Sequence, residues 1–156
     1  DDIQGPQRYH GVLSAIRDAG LPIQDDRFAW YDTEDRRQML DGKGSRLLSD
    51  FLTSRLDGAT AVVCYNDQIA VEVVKALEEC GIHVPEQVSV TGYDNSFIAE
   101  NSRIKLTTIA HPQDKLGEMA AKLLLELIQN PNEKAQEHQI FIEPELIVRE
   151  SCRQRT

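Results

Sequence analysis

Apolar residues recur along much of the chain at the three- and four-residue spacing that places them on one face of an α-helix. This spacing predicts helices over Gly5–Ala19, Asp67–Cys80 and Asp114–Gln129. Gly20 follows the first of them, where glycine commonly ends a helix, and Asn66 precedes the second, where asparagine is a favoured cap. The chain is therefore expected to contain several amphipathic helices.

Short apolar runs between these helices, bounded by turn-forming residues, predict β-strands. The predicted strands are Arg27–Tyr31, Thr60–Cys64, Val88–Tyr93, Lys105–Ile109 and Gln139–Val148. The second of these runs is apolar enough to resemble the strands that parallel sheets bury on both faces. Helices and strands that alternate in this way predict an α/β fold with a mainly parallel sheet and flanking helices.

The composition of the chain restricts which partners this segment is expected to bind. The 156 residues are 40% hydrophobic, which is sufficient for one domain with a packed core. The formal net charge is −9 and the sequence pI is about 4.9. Because so acidic a surface repels phosphate, this segment is not expected to contact nucleic acid directly.

The three cysteines lie far apart and form neither a CxxC pair nor a zinc-binding cluster. They are expected to be reduced thiols of a cytoplasmic protein, and neither a metal nor a cofactor is expected. No apolar run approaches the roughly 20 residues of a membrane span, so no membrane association is expected. The chain opens on Asp1 without a methionine, and we expect it to be a fragment.

Polar and aromatic residues follow the predicted strands, at the sheet edge where ligands of open α/β folds bind. These residues are Trp30, Tyr31, Tyr65, Asn66, Asp67, Asp94, Asn95 and His111. Amides, carboxylates and an imidazole can bind several hydroxyl groups in fixed directions, while an aromatic face covers apolar C–H surface. No phosphate-binding loop accompanies them, so the set favours a sugar over a nucleotide.

Each candidate also has an ordinary structural explanation. Asn66 can act only as a helix cap, and Asp94 with Asn95 can form a turn by bonding its own backbone. Trp30 can be a partly buried core aromatic, and His111 can be an ordinary loop residue. Arg8 can be a solvated side chain of the first helix.

Catalytic patterns are weaker than binding patterns in this chain. Cys64, Asp67 and a distant histidine could form a nucleophilic site, but Cys64 lies within a strand pattern and is expected to be a buried core thiol. The stretch Asp41–Ser45 lacks the residue order of a phosphate-binding loop. An enzyme is therefore not expected.

Several segments resemble the effector domains of LacI/GalR-type transcriptional regulators. The segment from Cys64 to Asn95, CYNDQIAVEVVKALEECGIHVPEQVSVTGYDN, is similar to the family's strand, ND, helix, VP and strand ending in G-[FY]-D-[DN]. The resemblance continues through KLTTIAHPQDKLGEMAAKLL and EPELIVRES, and the opening DDIQGPQRYHGVLSAIRDAG is similar to the family's first helix of this lobe. These segments cover most of the chain in the family's order.

The resemblance implies a periplasmic-binding-protein-like fold of type I, with two Rossmann-like lobes and the ligand between them. Residues 1–111 and 138–150 would form most of the second lobe. Residues 112–137 would form a crossover helix of the first lobe, whose founding strands are otherwise absent. The apolar face of that helix would then lack part of its usual partner.

The resemblance also implies roles for individual residues. Arg8, Asn66 and Asp94 fall at positions that contact the effector, and Trp30 lies near a family aromatic that covers the sugar ring. His111 stands where the chain crosses back towards the first lobe and where family members offer a side chain to the ligand.

Within the family, DDIQG, CYNDQIA, KLTTIAHP and EPELIVRES resemble arabinose-responsive regulators that carry a GntR-type DNA-binding head. This implies a small sugar effector, with arabinose expected, in a homodimer that binds operator DNA through a domain not present in this chain. Sensors of gluconate, ribose or galactose could share much of this sequence pattern. A sugar-binding protein of a transport system and a sugar-processing enzyme are the alternatives from other functional classes.

Overall fold

A computed structural model describes residues 4–30, 34–35, 37, 46–56, 58–129 and 140–154. Its α-helices are α1 (Gln4–Asp18), α2 (Arg46–Arg55), α3 (Asp67–Glu79), α4 (Phe97–Asn101) and α5 (Gln113–Gln129). Its strands are β1 (Ala61–Val63), β2 (Ser89–Thr91), β3 (Thr108–Ala110) and β4 (Glu145–Ile147). The expectations for Tyr31, Asp41–Ser45 and residues 130–139 lie outside the described part of the chain.

The described strands form a mixed arrangement whose first part is parallel. β1 pairs with β2 in parallel, with Val62 opposite Val90. Thr107, just before β3, forms a parallel bridge to Thr91 at the end of β2. β3 then pairs with β4 in the antiparallel direction. The α/β prediction with parallel strands and helical connections is confirmed, and the antiparallel edge is a common addition to such sheets.

Helix α3 contributes more buried residues to the hydrophobic core than any other described element. Its buried apolar residues share one face, as predicted, and they are Ala70, Val73, Val74 and Leu77. They pack with buried residues of the sheet and its connections, among them Val90 and Leu106. The helix starts where Asn66 accepts a hydrogen bond from the Ile69 backbone N–H at 2.9 Å, which confirms the predicted cap.

The predicted first helix is also confirmed, and its end has a clear physical basis. Gly20 has a φ of +67°, a left-handed conformation that glycine adopts without steric cost. Its N–H donates to the Arg17 carbonyl, and the next N–H, from Leu21, donates to the Ile16 carbonyl. These two bonds satisfy carbonyl groups that the helix end would otherwise leave unpaired.

The prediction of a strand at Arg27–Tyr31 is wrong over the described residues. Asp25–Arg27 form a single 3-10 turn, and the next three residues have no regular structure. The Arg27 guanidinium donates to the Gln24 side chain and to the Arg55 backbone carbonyl, which holds the turn against the end of α2. The apolar residues that suggested a strand instead contribute to aromatic packing, described below.

The prediction that the strand at Thr60–Cys64 is buried on both faces is also wrong. Val62 packs against the core cluster, whereas Val63 points to the other face and is 61% exposed. The physical reason is that the core formed by α3 covers one face of β1, and no described element covers the other. An apolar run alone does not show how many faces of a strand are covered.

Helix α5 follows its predicted bounds closely but has no buried residue. Large apolar side chains along it are exposed, including Leu116, Leu124, Leu125 and Ile128. The assignment of residues 112–137 to a different lobe stays a prediction. None of the described helices has the length and apolar content that a membrane span requires.

Replacement of Leu77 by alanine tests the role of α3 in stability. Leu77 is fully buried, so Leu77→Ala should lower the free energy of unfolding by about 2–5 kcal/mol through lost burial and a residual cavity. The control is Leu21→Ala, the same change on a leucine that is 60% exposed and lies outside α5, which should stay within about 0.5 kcal/mol of the parent protein. Urea denaturation followed by circular dichroism measures both, and equal losses would contradict the assignment of the core.

Candidate functional site

The ends of the strands and helix α1 bring a polar cluster together at one edge of the sheet. Tyr65 follows β1, Tyr93 and Asp94 follow β2, and His111 follows β3. Parallel strands point their carboxyl ends to the same edge, so these residues converge although they are distant in sequence. Arg8 reaches the cluster from the second turn of α1.

Arg8 is the residue with the most contacts in this cluster. Its guanidinium carbon lies 3.9 Å from the centre of the Tyr93 ring and 4.5 Å from the centre of the Tyr65 ring. One guanidinium nitrogen donates to the Tyr65 carbonyl at 2.7 Å, and the other donates to Asp94 at 3.3 Å and to Gln4 at 3.2 Å. The planar group is thereby held by ring faces and hydrogen bonds at once.

Asp94 lies at the centre of the charged part of the cluster. Its Oδ1 accepts from Arg8 and lies 3.9 Å from Nε2 of His111. The His111 imidazole packs on the Tyr93 ring with ring centres 5.0 Å apart. Because Asp94 remains partly exposed, its carboxylate can accept further hydrogen bonds from a ligand.

The backbone of this loop is unusual. Asp94 has a φ of +103° and Asn95 a φ of +48°, and residues with a side chain rarely adopt positive φ. Such a residue costs about 1–3 kcal/mol and persists only where surrounding contacts fix it, and residues of this kind concentrate at functional sites. The strain therefore marks the Asp94–Asn95 turn as a candidate site on conformational grounds alone.

Asn66 lies next to Tyr65 but has a structural role in the described contacts. Its side-chain oxygen is used by the cap of α3, which supports the ordinary explanation of this residue. The amide nitrogen keeps two N–H donors that a ligand could use. The Asn66 side chain therefore lies near the cluster, and its oxygen is engaged in the helix cap.

Trp30 belongs to a different group of side chains. It is 66% exposed and packs on Tyr9 with ring centres 4.9 Å apart, and Tyr9 also meets Phe28 edge-on at 5.1 Å. Beside it lies an open groove of about 290 Å³ whose aromatic lining residues are Phe28, Trp30 and Phe51. Of the predicted site residues, the structure brings together Arg8, Asp94 and His111, whereas no described contact joins Trp30 to them.

Sequence reasoning missed two contributors to the site. Tyr93 belongs to a predicted strand, and its position just before Asp94 at the end of that strand is a signal that it contributes to the site. Arg149 lies beyond β4, and its guanidinium donates to the Asn95 side chain at 2.7 Å and to the Leu106 carbonyl at 2.9 Å. Nothing in the local pattern around Arg149 indicated this contact.

The groups considered for catalysis do not form a reactive site. Burial and, to a smaller extent, the nearby charge of Asp67 raise the pKa of the Cys64 thiol to about 12. A thiol that stays protonated at neutral pH is a poor nucleophile. Among the described residues, no group of three or more histidine, cysteine, aspartate or glutamate side chains could hold a metal ion.

Comparison with known proteins shows one family over nearly the whole chain. The model of the periplasmic binding protein-like domain matches residues 2–152. Two curated relatives are arabinose metabolism transcriptional repressors. The protein from Halalkalibacterium halodurans is 36% identical over 97% of this chain, and the protein from Geobacillus stearothermophilus is 32% identical over 99%.

The chain spans about 40% of the length of these two relatives, with 40% of the first and 41% of the second covered. Among solved structures, the complex of the transcriptional regulator CelR with cellobiose is similar at a TM-score of 0.80 and 26% identity. The similarity covers 97% of this chain and 43% of that structure. Sequence and structure comparisons thus point to the same type of domain.

The environment of Cys64 predicts a difference in thiol reactivity. When the folded protein is treated with iodoacetamide at about pH 8, Cys80 should be alkylated and Cys64 should not, because Cys80 is exposed whereas Cys64 is buried with a raised pKa. Peptide mass spectrometry measures labelling at each position. In urea both residues should react, which serves as the control, and rapid labelling of Cys64 in the folded protein would refute this description.

Proposed function

The chain belongs to the periplasmic binding protein-like domain family, and on this premise we propose that it is the effector-binding part of a bacterial transcriptional repressor. The two curated relatives support this proposal, since both carry the name of a transcriptional repressor and align with nearly all of this chain. Residues 1–111 and 138–150 would form one lobe, and 112–137 a crossover helix of the other. The exposed apolar side chains of α5 support this division, because a helix that belongs to a second lobe buries them there.

The proposed ligand is a small sugar, and arabinose is the first candidate. One observation carries the proposal: the Arg8 guanidinium is held against two tyrosine rings beside the partly exposed Asp94 carboxylate. A fixed donor next to a fixed acceptor suits the hydroxyl groups of a sugar, and aromatic faces suit its C–H surface. The names of the relatives support arabinose, and the cellobiose complex of CelR supports a sugar in general.

In this proposal Arg8 donates to ring or hydroxyl oxygens and Asp94 accepts from hydroxyl groups. Charge-assisted bonds of this kind depend on hydroxyl geometry, so they would determine which sugar epimer fits. His111 would add a donor or acceptor beside Asp94, and the free amide N–H groups of Asn66 would add donors. Trp30 would cover an apolar face of the sugar, for which its exposed ring is available.

The proposed regulation couples sugar binding to DNA binding elsewhere in the protein. Sugar binding between two lobes would favour a closed arrangement, change the geometry of a homodimer, and lower the affinity of the DNA-binding heads for operator DNA. A GntR-type head is proposed from the resemblance to arabinose-responsive regulators. The net charge of −9 supports a separate head, because this segment would be repelled by DNA phosphates. A regulator of this kind would act in the cytoplasm.

Calorimetric titration of the intact protein tests the choice of sugar. L-Arabinose should give saturable heat, whereas ribose, galactose and gluconate should give little or none. Ribose differs from arabinose in the directions of its hydroxyl groups, galactose carries an additional hydroxymethyl group, and gluconate is an open-chain carboxylate. If one of the other sugars binds and arabinose does not, the choice of arabinose is wrong and the more general proposal of a sugar sensor stands. Absence of binding by all four would refute the sugar proposal.

Substitutions in the cluster test the site itself. Arg8→Ala and Asp94→Ala should each weaken arabinose binding about 10- to 100-fold, since each removes a charged hydrogen-bonding group from the site. Arg8→Lys should also weaken binding, because lysine keeps the charge but lacks the planar group that packs on Tyr65 and Tyr93. Calorimetry measures affinity, and thermal unfolding verifies that the variants remain folded.

The matched control is Arg17→Ala, which removes an exposed arginine from the last turn of the same helix. It should leave arabinose affinity unchanged. Unchanged affinity in both Arg8→Ala and Asp94→Ala would place the ligand site elsewhere in the protein.

A further inference from the structure

A second set of residues lies directly beneath the candidate site. Asp67 is the first residue of α3, and its side chain is only 1% exposed. Burial of an acidic side chain is costly unless hydrogen bonds replace its contacts with water. The helix start does not require this residue as a cap, because Asn66 already fills that role. The burial of the Asp67 carboxyl group therefore requires an explanation other than helix capping.

Both carboxyl oxygens of Asp67 accept hydrogen bonds from neighbouring residues. Its Oδ1 accepts from the Thr108 hydroxyl at 2.5 Å, and its Oδ2 accepts from the Ser96 N–H at 2.7 Å and the Ser96 hydroxyl at 2.9 Å. Both partners lie outside α3, one in β3 and the other in the loop that carries Asp94. The carboxyl group therefore joins three separate parts of the chain.

Asp67 and Thr108 also provide acceptors for backbone N–H groups of the strained turn. Three successive backbone N–H groups follow β2: Asp94 donates to the Ile109 carbonyl at 2.9 Å, Asn95 to the Thr108 hydroxyl at 3.3 Å, and Ser96 to Asp67. Because the Thr108 hydroxyl gives its proton to Asp67, its oxygen is free to accept from Asn95. Asp67 thus controls two of the three bonds, one directly and one through Thr108.

The sheet leaves space for this arrangement only because residue 92 is glycine. A Cβ atom built on Gly92 would lie 2.2 Å from Oδ1 of Asp67. Real Cβ atoms essentially never come so close to another heavy atom, so any side chain here would displace the carboxyl group. The end of β2 and the buried carboxyl group are therefore fitted to each other.

From these contacts we infer that Asp67 is a positioning residue that holds the turn at Asp94–Ser96 in its strained form and so presents Asp94 to the ligand. This inference rests on the proposed function, because it assumes that Asp94 binds the ligand. Without the carboxyl group the turn relaxes towards negative φ, and Asp94 moves away from Arg8 and His111. Arg149 supports the same turn from its other side through Asn95.

Asp67→Asn in the intact protein tests the inference. Asparagine keeps only one acceptor oxygen, so it cannot accept from both Ser96 and Thr108. One orientation of its amide sets the NH₂ group against the Ser96 N–H, and the other reverses the bond to Thr108 and removes its charge. Affinity for L-arabinose should fall about tenfold or more, measured by calorimetry. The control is Asp114→Asn, the same change at an exposed acidic residue in the first turn of α5, and affinity should be unchanged.

A double-mutant cycle separates positioning from general stability. If Asp67 acts through Asp94, then Asp67→Asn should reduce affinity by less than about twofold in an Asp94→Ala protein. An equal loss in both backgrounds would refute the positioning role and leave the ligand site intact. If Asp94→Ala alone has no effect on affinity, Asp94 does not bind the ligand and the positioning role is refuted, whereas loss of the site itself requires unchanged affinity in Arg8→Ala as well.

The crystal structure of ligand-free Asp67→Asn gives a readout that does not depend on the sugar. Loss of positive φ at Asp94 and Asn95 would support the inference, and an unchanged turn would refute it. If Asp67→Asn does not fold, Thr108→Val serves instead. It removes the hydroxyl that joins Asp67 to Asn95 while keeping the shape of the side chain, and the same two outcomes apply.

Discussion

Hydrogen bonds to the buried carboxyl group of Asp67 connect the parts of this domain on which the candidate site depends. They join the start of α3, the turn after β2 and the first residue of β3. Each of these elements belongs to a different βα unit, and the bonds to Asp67 add to backbone bonds between them, such as that from the Asp94 N–H to the Ile109 carbonyl. Apolar packing is not directional, whereas hydrogen bonds to a carboxyl group specify both distance and angle.

This arrangement explains how a strained turn can exist at a partly exposed edge of the sheet. Two adjacent residues with positive φ cost free energy, and three backbone hydrogen bonds together with the Arg149 contact offset that cost. The result places the Asp94 carboxylate beside the Arg8 guanidinium, which the two tyrosine rings keep in place. Contacts within the domain thus fix the positions of these polar groups, and such preorganisation would lower the entropic cost of binding the proposed ligand.

The same domain carries apolar surface that its own described residues do not cover. Helix α5 buries none of its residues, and Phe141, Leu146 and Val148 near β4 are also exposed. Large exposed apolar patches on soluble proteins usually mark contacts with other protein surface. This agrees with the proposal that the chain forms one lobe and part of a second within a longer protein, a proposal also supported by the 40% coverage of its relatives.

The sequence alone determined helices α1, α3 and α5, the α/β class and three of the clustered site residues. Helical periodicity predicts α1, α3 and α5 because apolar residues repeat with the turn of a helix. Family motifs together with strand ends predict the positions of Arg8, Asp94 and His111. Tertiary structure decided what local patterns do not encode. It showed that residues 27–30 do not form a strand and that no described element covers one face of β1. It also showed that Trp30 packs on Tyr9 and that Asp67, Tyr93 and Arg149 support the cluster. These features depend on which distant segments meet, and contacts between residues such as Arg149 and Asn95, more than 50 positions apart, leave no periodic signal in the chain.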